Sequence, residues 1–261
     1  MINALNAAAT GMSAQAKQVE TISNNLANAD TVSFKKSRAE FQDLLYQSIK
    51  EPGTATSATT QHSTGIQIGV GTQVSAVSRD DSDGTLRQTS RPLDFAIQGR
   101  GLYFSIQTPS GDIAYTRDGS FQIGPEGRLQ TASGLPVVPE IVVPPNARSI
   151  EVAPDGRVLA RISATETQEL GQFQITSFAN PAGLQAAGSN LFLASTASGA
   201  PAQVEVGSLN AGRLFQGYLE SSNVNAITEM TDLIRAQRTL ELNSKVIQST
   251  DQMMSTLNQV R

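Results

Sequence analysis

The 261-residue chain has no cysteine, no tryptophan and one histidine. Without cysteine there is no thiol nucleophile, disulfide framework or thiolate-bound zinc, and any Ser-His-Asp arrangement must run through His62. Charge is also scarce. Charged residues make up 16% of the chain, and 19 Lys and Arg stand against 23 Asp and Glu for a net charge of -4. That balance is too small and too acidic for a nucleic-acid footprint, so no nucleic acid partner is expected. No stretch reaches the roughly 18 to 20 apolar residues of a spanning helix, which excludes membrane insertion by that route. The N-terminus has neither a basic n-region nor an apolar h-region, its first basic side chain being Lys17, so no cleavable secretion signal is expected. Lack of cysteine also suits work outside the cytoplasm without disulfide chemistry. At about 150 residues per domain, the length allows one to two domains.

What is present divides the chain into two ends and a middle. Among the first 34 residues only Lys17, Glu20 and Asp30 carry charge, and Leu5, Met12, Val19 and Leu26 recur every seven positions beside Ile2 and Ile22. This pattern predicts a helix over about 2–29 that needs a partner to cover its seam. Its other face carries Asn3, Asn6, Thr10, Ser13, Gln15, Gln18, Asn24 and Asn25, a composition that suits close neighbours or a lumen. Near the C-terminus Leu233, Leu240, Ile247 and Met254 again step by seven, widened by Ile227, Ile234 and Leu257. Ser221, Ser222 and Asn223 are candidate caps, Glu229 and Asp232 sit early where the helix dipole favours anions, and Glu241–Lys245 and Asp232–Arg235 are spaced to pair. The two heptad segments can close on each other as a hairpin, or dock identical subunits.

The middle reads as strands and turns. Leu102, Phe104 and Ile106 alternate before Pro109-Ser110-Gly111; Ile113 and Tyr115 alternate before Asp118-Gly119; Phe121 and Ile123 follow. Gly124-Pro125-Glu126-Gly127 and Pro154-Asp155-Gly156 continue the rhythm, with Ile150 and Val152 before the latter and Val158, Ala160 and Ile162 after it. Turn signals about every 8 to 12 residues predict an all-β region over roughly 74–214. The Ser/Thr/Gly/Gln-rich stretch 47–72 ends in Gly65-Ile66-Gln67-Ile68-Gly69-Val70-Gly71, where Ile66, Ile68 and Val70 alternate between glycines. It is expected to be a long loop that orders against a neighbour.

Chemistry is hard to find. Gly99-Arg100-Gly101 and Gly69-Val70-Gly71 start a dinucleotide-like pattern, but Phe104 and Val74 replace its third glycine. Ser33-Phe34-Lys35-Lys36 matches S-x-x-K without the S-D-N and K-T-G that complete such a site. Asp80, Asp81, Asp83 and Gly84 resemble a calcium loop that lacks its acid at Arg79 and its Glu at Ser90, so a solvated turn is expected. His62 has no acidic residue nearer than Glu51. Lys35, Lys36 and Arg38 form the basic cluster after the first helix and read as a solvated junction.

Ile22-Ser23-Asn24-Asn25-Leu26-Ala27-Asn28-Ala29-Asp30-Thr31, running on to Phe34-Lys35, resembles the N-terminal signature of the axial proteins of the bacterial flagellum, the rod and hook family. Gly217-Tyr218-Leu219-Glu220-Ser221-Ser222-Asn223-Val224-Asn225, with Glu229-Met230 and Gln237-Arg238, is similar to its C-terminal helix region. Asp94-Phe95-Ala96-Ile97-Gln98-Gly99-Arg100-Gly101 and Tyr115-Thr116-Arg117-Asp118-Gly119-Ser120-Phe121 resemble its β-domain motifs. The resemblance covers essentially the whole chain, and length and the 47–72 segment point to the distal rod members. Ser33 stands where the family usually has Gly, so the turn there must avoid positive φ or tolerate strain, and Thr239-Leu240 replaces the usual Ala-Tyr.

The resemblance implies an α+β fold: terminal N- and C-helices (1–30 and 217–261) forming a coiled-coil-like domain, an extended rod-specific segment (31–73) and an all-β central domain (74–216). It further implies a structural, non-enzymatic subunit without cofactor or metal, exported without a cleavable signal peptide and polymerised into the rigid distal rod of the flagellar basal body, in the periplasm and up to the outer membrane. The implied partners are further copies of the chain in a helical homo-polymer, proximal rod proteins, the hook protein or hook-rod junction, the P-ring and L-ring bushing, and the export apparatus. The candidate assembly residues are Leu5, Met12, Val19, Ile22, Leu26, Ile227, Leu233, Ile234, Leu240, Ile247, Met254 and Leu257, with Gly65, Ile66, Ile68, Gly69, Val70 and Gly71 in the rod-specific loop. The alternatives are a proximal rod or hook subunit, a peptidoglycan-remodelling enzyme using a carboxylate pair from among Asp80, Asp81, Asp118 and Glu126, and a secreted coiled-coil adhesin.

Overall fold

The computed structural model describes residues 2–50, 55–57, 60–61, 65–153, 155–163, 166–206 and 212–259. His62 lies outside them, as does the Leu257 side chain. The fold is α+β, with a long helix at each end of the chain and a β-rich middle between them in sequence. The chain forms two compact units: residues 1–27, 37–78 and 225–261, and residues 28–36 with 79–224. The 31–73 segment is thus shared between them, dividing after residue 36.

In the helical unit, α1 (Ile2–Ala27) packs on α2 (Ala226–Gln259) and on the strand Ser37–Asp43. α1 stops two residues short of the expected 29. Asn225, not Ser221, Ser222 or Asn223, caps α2: its Oδ1 accepts the backbone N–H of Ile227 at 3.1 Å and of Thr228 at 3.2 Å. The residues of α1 buried most deeply are Ala8, Ala14, Ile22 and Asn25, and those of α2 are Glu229, Ala236 and Thr250. The expected heptad of larger side chains is only half-buried at Leu5, Met12, Val19, Leu26, Leu233, Leu240 and Ile247. Small residues let the elements approach closely: a side chain at Gly11 would press on the Asn243 amide at 3.2 Å. The larger side chains then flank that line.

Within one chain, the segment expected to be a long loop forms paired strands. Ser37–Asp43 is hydrogen-bonded to Thr72–Arg79, and Tyr46–Lys50 runs antiparallel to Ile66–Gly69 with Tyr46 opposite Gly69 and Gln47 opposite Ile68. Two-stranded ribbons gain little from their own packing. The two pairs and the link between them leave Phe41, Leu45, Tyr46, Ile49, Ile66, Ile68 and Val77 exposed, Leu45 at 89%.

The β unit is organised by a seven-stranded antiparallel sheet in the order Gln185–Gly188, Leu191–Leu193, Ile113–Thr116, Leu102–Gln107, Gln174–Ser177 and Ala202–Glu205, with Val137–Val138 also on Leu102–Gln107. Period-2 alternation gives its central strand two faces. Leu102, Phe104 and Ile106 enter a core with Phe95, Phe121, Phe173 and Ile175, while Tyr103 joins Tyr115, Phe178 and Leu184 in a second cluster. Both faces are therefore covered, and five of the strand's six residues are buried. The four phenylalanines interlock: Phe95 and Phe173 lie 5.1 Å apart by ring centroids, Phe104 and Phe121 5.2 Å. Alternation fails at the next positions, where Phe121 is buried and Ile123 exposed beside a short hairpin. Three further strands, Ser149–Val152, Arg157–Arg161 and Thr167–Gln172, form a separate meander.

Replacing the fully buried Phe104 by Ala is expected to cost the β unit about 3–5 kcal/mol, since the cavity would open amid three other rings. Denaturant unfolding followed by fluorescence of the tyrosine cluster measures this.

Candidate assembly site

The first helix ends in a clamp. Asn25, 2% exposed, accepts the Ser37 backbone N–H through Oδ1 at 2.8 Å and donates through Nδ2 to the Ser37 carbonyl at 2.8 Å and to Glu229 Oε2 at 3.2 Å. One amide thus ties α1 to the strand Ser37–Asp43 and to the first turn of α2, where Glu229 also sits near the positive end of the helix. Asn25 was expected on the polar face of the helix, turned to close neighbours or a lumen. Its neutral side chain is instead one that satisfies three polar groups where water is excluded.

A second polar cluster lies within the β unit. Glu220, 2% exposed, receives Lys35 Nζ on Oε1 at 2.7 Å, the Gly84 backbone N–H on the same oxygen at 2.8 Å, and Arg117 Nε on Oε2 at 2.7 Å. Arg117 uses all five of its N–H groups, the others going to the carbonyls of Gly99, Leu102 and Ile97 and to Asp83 Oδ1. Lys35 also donates to the Ser82 carbonyl at 2.6 Å. Gly84 comes so close to the Ser221 carbonyl that no side chain fits there, which is what lets its N–H reach Glu220.

The connector 31–36 is fastened to the same place. Ser33 adopts φ 56, its N–H donating to the Glu220 carbonyl at 2.8 Å and its Oγ to the Arg117 carbonyl at 2.9 Å. The strain foreseen for a residue replacing Gly is accepted here, and the hydroxyl bond offsets it. Asn223, instead of capping a helix, accepts the Lys36 N–H and donates to the Asp80 and Ser82 carbonyls.

These contacts correct two expectations. Lys35 is not a solvated basic residue: its side chain is buried, while Lys36 and Arg38 are exposed. The 80–84 turn is not merely solvated either, because Asp81 pairs with Arg79 beneath the Tyr103 hydroxyl, and Asp83 holds Arg117 and the Gly99 N–H. Burial alone pushes the Glu220 carboxyl up, yet the charges of Arg117 and Lys35 outweigh it and hold it below the usual carboxylate range. For Lys35 burial wins, lowering its pKa despite Glu220, with Arg117 acting in the same direction. The asymmetry is physical: the carboxylate has two cations, the lysine one close anion.

Of the twelve expected assembly residues, Ile22 is buried and Ile227, Ile234 and Met254 are exposed. Leu5, Met12, Val19, Leu26, Leu233, Leu240 and Ile247 lie half-buried. Ile227, at 79% exposure, forms with Met230 and Ile234 an apolar stripe at i, i+3, i+7 on α2, away from the side that carries Glu229, Ala236 and Thr250. Gly65, Val70 and Gly71 lie half-buried and Ile66, Ile68 and Gly69 exposed along the ribbon.

The residues weighed for chemistry are not gathered. Asp80 faces Lys36, Asp81 faces Arg79, Asp118 caps the Ser120 N–H, and Glu126 pairs with Arg128. A depression of about 500 Å³ beside Ile123, Val142, Pro144 and Pro145 is lined by one carboxylate, Glu126. Gly99 and Gly101 occupy a positive-φ turn between two strands, with no helix following. Among the described residues no group of three or more His, Cys, Asp or Glu is placed to hold a metal ion, and no helix is long and apolar enough to cross a membrane.

Comparison with known proteins places these features in context. Residues 5–35 match the family described as flagella basal body rod protein, residues 96–160 the flagellar hook protein FlgE/F/G D1 domain, and residues 216–260 the C-terminal region of the flagellar basal body rod FlgEFG proteins. Asn25, Ser33 and Lys35 fall in the first stretch, Arg117 in the second, Glu220, Asn223 and Glu229 in the third. The flagellar basal-body rod protein FlgG of Caulobacter vibrioides is 46% identical over 262 residues, covering all of both chains. The protein of that name from Borreliella burgdorferi is 44% identical over 264 residues, covering 100% of this chain and 99% of its own. The one from Bacillus subtilis is 38% identical over 262 residues, covering 98% of each chain.

Arg117→Lys is expected to destabilise the β unit by about 3–5 kcal/mol, because an ammonium cannot reach Glu220, Asp83 and three carbonyls from one position. Chemical denaturation of the purified chain checks this.

Proposed function

This chain belongs to the flagellar basal-body rod protein family, and on that premise we propose that copies of it polymerise helically into the rigid distal rod, the shaft that transmits torque and encloses the export channel. It is a structural rod subunit of the flagellar basal body, assembling there with other rod and hook components. The observation that carries the polymer reading is the uncovered stripe Ile227, Met230 and Ile234 on a helix whose other side already has a partner. Apolar side chains in such a row gain by burial against another subunit. The twelve heptad-associated residues named above are the proposed assembly residues, some holding the hairpin together and the exposed ones meeting a second copy. Contacts of this kind between unlike faces extend into a helix instead of closing into a ring.

The near absence of charge on α1 suits a channel lining. Its two charged side chains, Lys17 and Glu20, neutralise each other at 2.7 Å, leaving a surface of Asn, Gln, Ser and Thr that gives a passing unfolded chain few places to stick. The exposed apolar ribbon containing Ile49, Ile66 and Ile68 is proposed to bridge neighbouring subunits and to stiffen the shaft. Proximal rod proteins, the hook or hook-rod junction, the P-ring and L-ring and the export apparatus are the proposed partners. The proposed route is export without a cleavable signal peptide, to a place spanning the periplasm as far as the outer membrane. A structural role of this kind needs no catalysis, cofactor or metal.

Two outcomes test this reading. Leu26→Asp or Leu240→Asp is expected to abolish rod assembly while the β unit stays folded, since a carboxylate in the helical seam cannot be desolvated cheaply; normal rods from either variant, seen by electron microscopy of isolated basal bodies, contradict it. Deleting residues 47–72 is expected to leave polymers that bend more than the wild-type shaft, and complete loss of polymer contradicts a stiffening role.

A further inference from the structure

The chain passes between its two units four times, after residues 27, 36, 78 and 224. On the β-unit side these passages lead into one small region. Residues 31–36 enter it through Ser33 and Lys35, 80–84 through Ser82, Asp83 and Gly84, and 218–224 through Glu220 and Asn223. What holds the three segments together is polar: the Glu220 bonds, the Lys35 bond to the Ser82 carbonyl, the Asn223 side-chain bonds, and the backbone N–H groups of Ser33, Asp80 and Asn223 on the carbonyls of Glu220, Lys36 and Phe34. The phenylalanine core around Phe95, Phe104, Phe121 and Phe173 is apolar and indifferent to pH.

The geometry points to an acid-released latch: protonation of the Glu220 carboxylate frees segments 31–36, 80–84 and 218–224 together while the phenylalanine core stays folded. The inference goes beyond the rod reading and does not depend on self-assembly. The charged groups that act on Glu220 are Lys35 on the connector and Arg117 after the strand Ile113–Thr116, with Asp83 on Arg117; the same segments also carry Lys36, Arg79, Asp80 and Asp81, and Arg100 acts on Asp80. Asp80 and Asp81 are engaged by Lys36 and Arg79. Once Glu220 is neutral, two buried cations therefore have only Asp83 left beside them, and the anion that bridged them is gone. The direction follows from linkage. A carboxyl held low in the folded chain contributes stability above its unfolded pKa and loses it as pH falls through the folded value.

Hydrogen exchange of the full-length chain, read by mass spectrometry from pH 7 downward and corrected for intrinsic rates, tests the latch. The three segments are expected to lose about tenfold or more protection in one shared step, at a higher pH than the strands Leu102–Gln107 and Gln174–Ser177. Glu220→Gln is expected to deprotect the same segments at pH 7, spare those strands and remove the acid step. Should that variant fail to fold, Lys35→Met keeps the Glu220–Arg117 pair while removing one of its two cations, and its acid step is expected at higher pH. The latch is overturned if the three segments deprotect independently, if they open only together with the core strands, if Glu220→Gln keeps the wild-type protection and acid step, or if Lys35→Met leaves that step unmoved.

Discussion

A carboxylate can leave water only where cations and hydrogen-bond donors replace it, and around Glu220 this requirement shapes the β unit. Two cations and a backbone N–H meet its oxygens, and each comes from a different part of the chain. Lys35 brings in the connector that leaves α1, Gly84 the turn before the sheet, and Arg117 the end of a central strand. The tolerated left-handed Ser33 and the missing side chain at Gly84 are local accommodations to the same cluster. The apolar core supplies the bulk of burial, but it does not select where the ends of the β unit converge.

The helical unit obeys a different constraint. Here a neutral amide, Asn25, does the joining, and small residues such as Ala8, Gly11 and Ala236 allow close packing. Ile227, Met230 and Ile234 of α2, together with apolar side chains of the ribbon, stay uncovered within one chain. Apolar rows left exposed on a folded subunit are surfaces that a neighbour can cover, and the proposed self-assembly rests on them.

Much of this was legible in the sequence. Seven-residue stepping located both helices, turn chemistry at Gly111, Gly127 and Gly156 located hairpins, and alternation located the central strand. Burial depth was not legible, because Ala8 and Ala14 carry no amphipathic signal as strong as Leu5 or Met12, yet they pack more deeply. Lys35 and Asp83 misled for another reason. Charged residues are normally at the surface, and only three-dimensional convergence of distant segments shows that Lys35 pairs with Glu220 and Asp83 with Arg117. The signal was present in another form: the motifs that carried the family resemblance contain Lys35, Arg117 and Glu220. The cap was missed because Ser221, Ser222, Asn223 and Asn225 are all competent, and Asn223 is consumed by the 80–82 turn.

The most direct test of the claim that this chain is the distal shaft is electron microscopy of basal bodies isolated from cells that lack it. The account predicts a short rod stub with no distal shaft, outer bushing or hook. Complete basal bodies would contradict it, and a full-length rod lacking only its hook would move the subunit one segment outward.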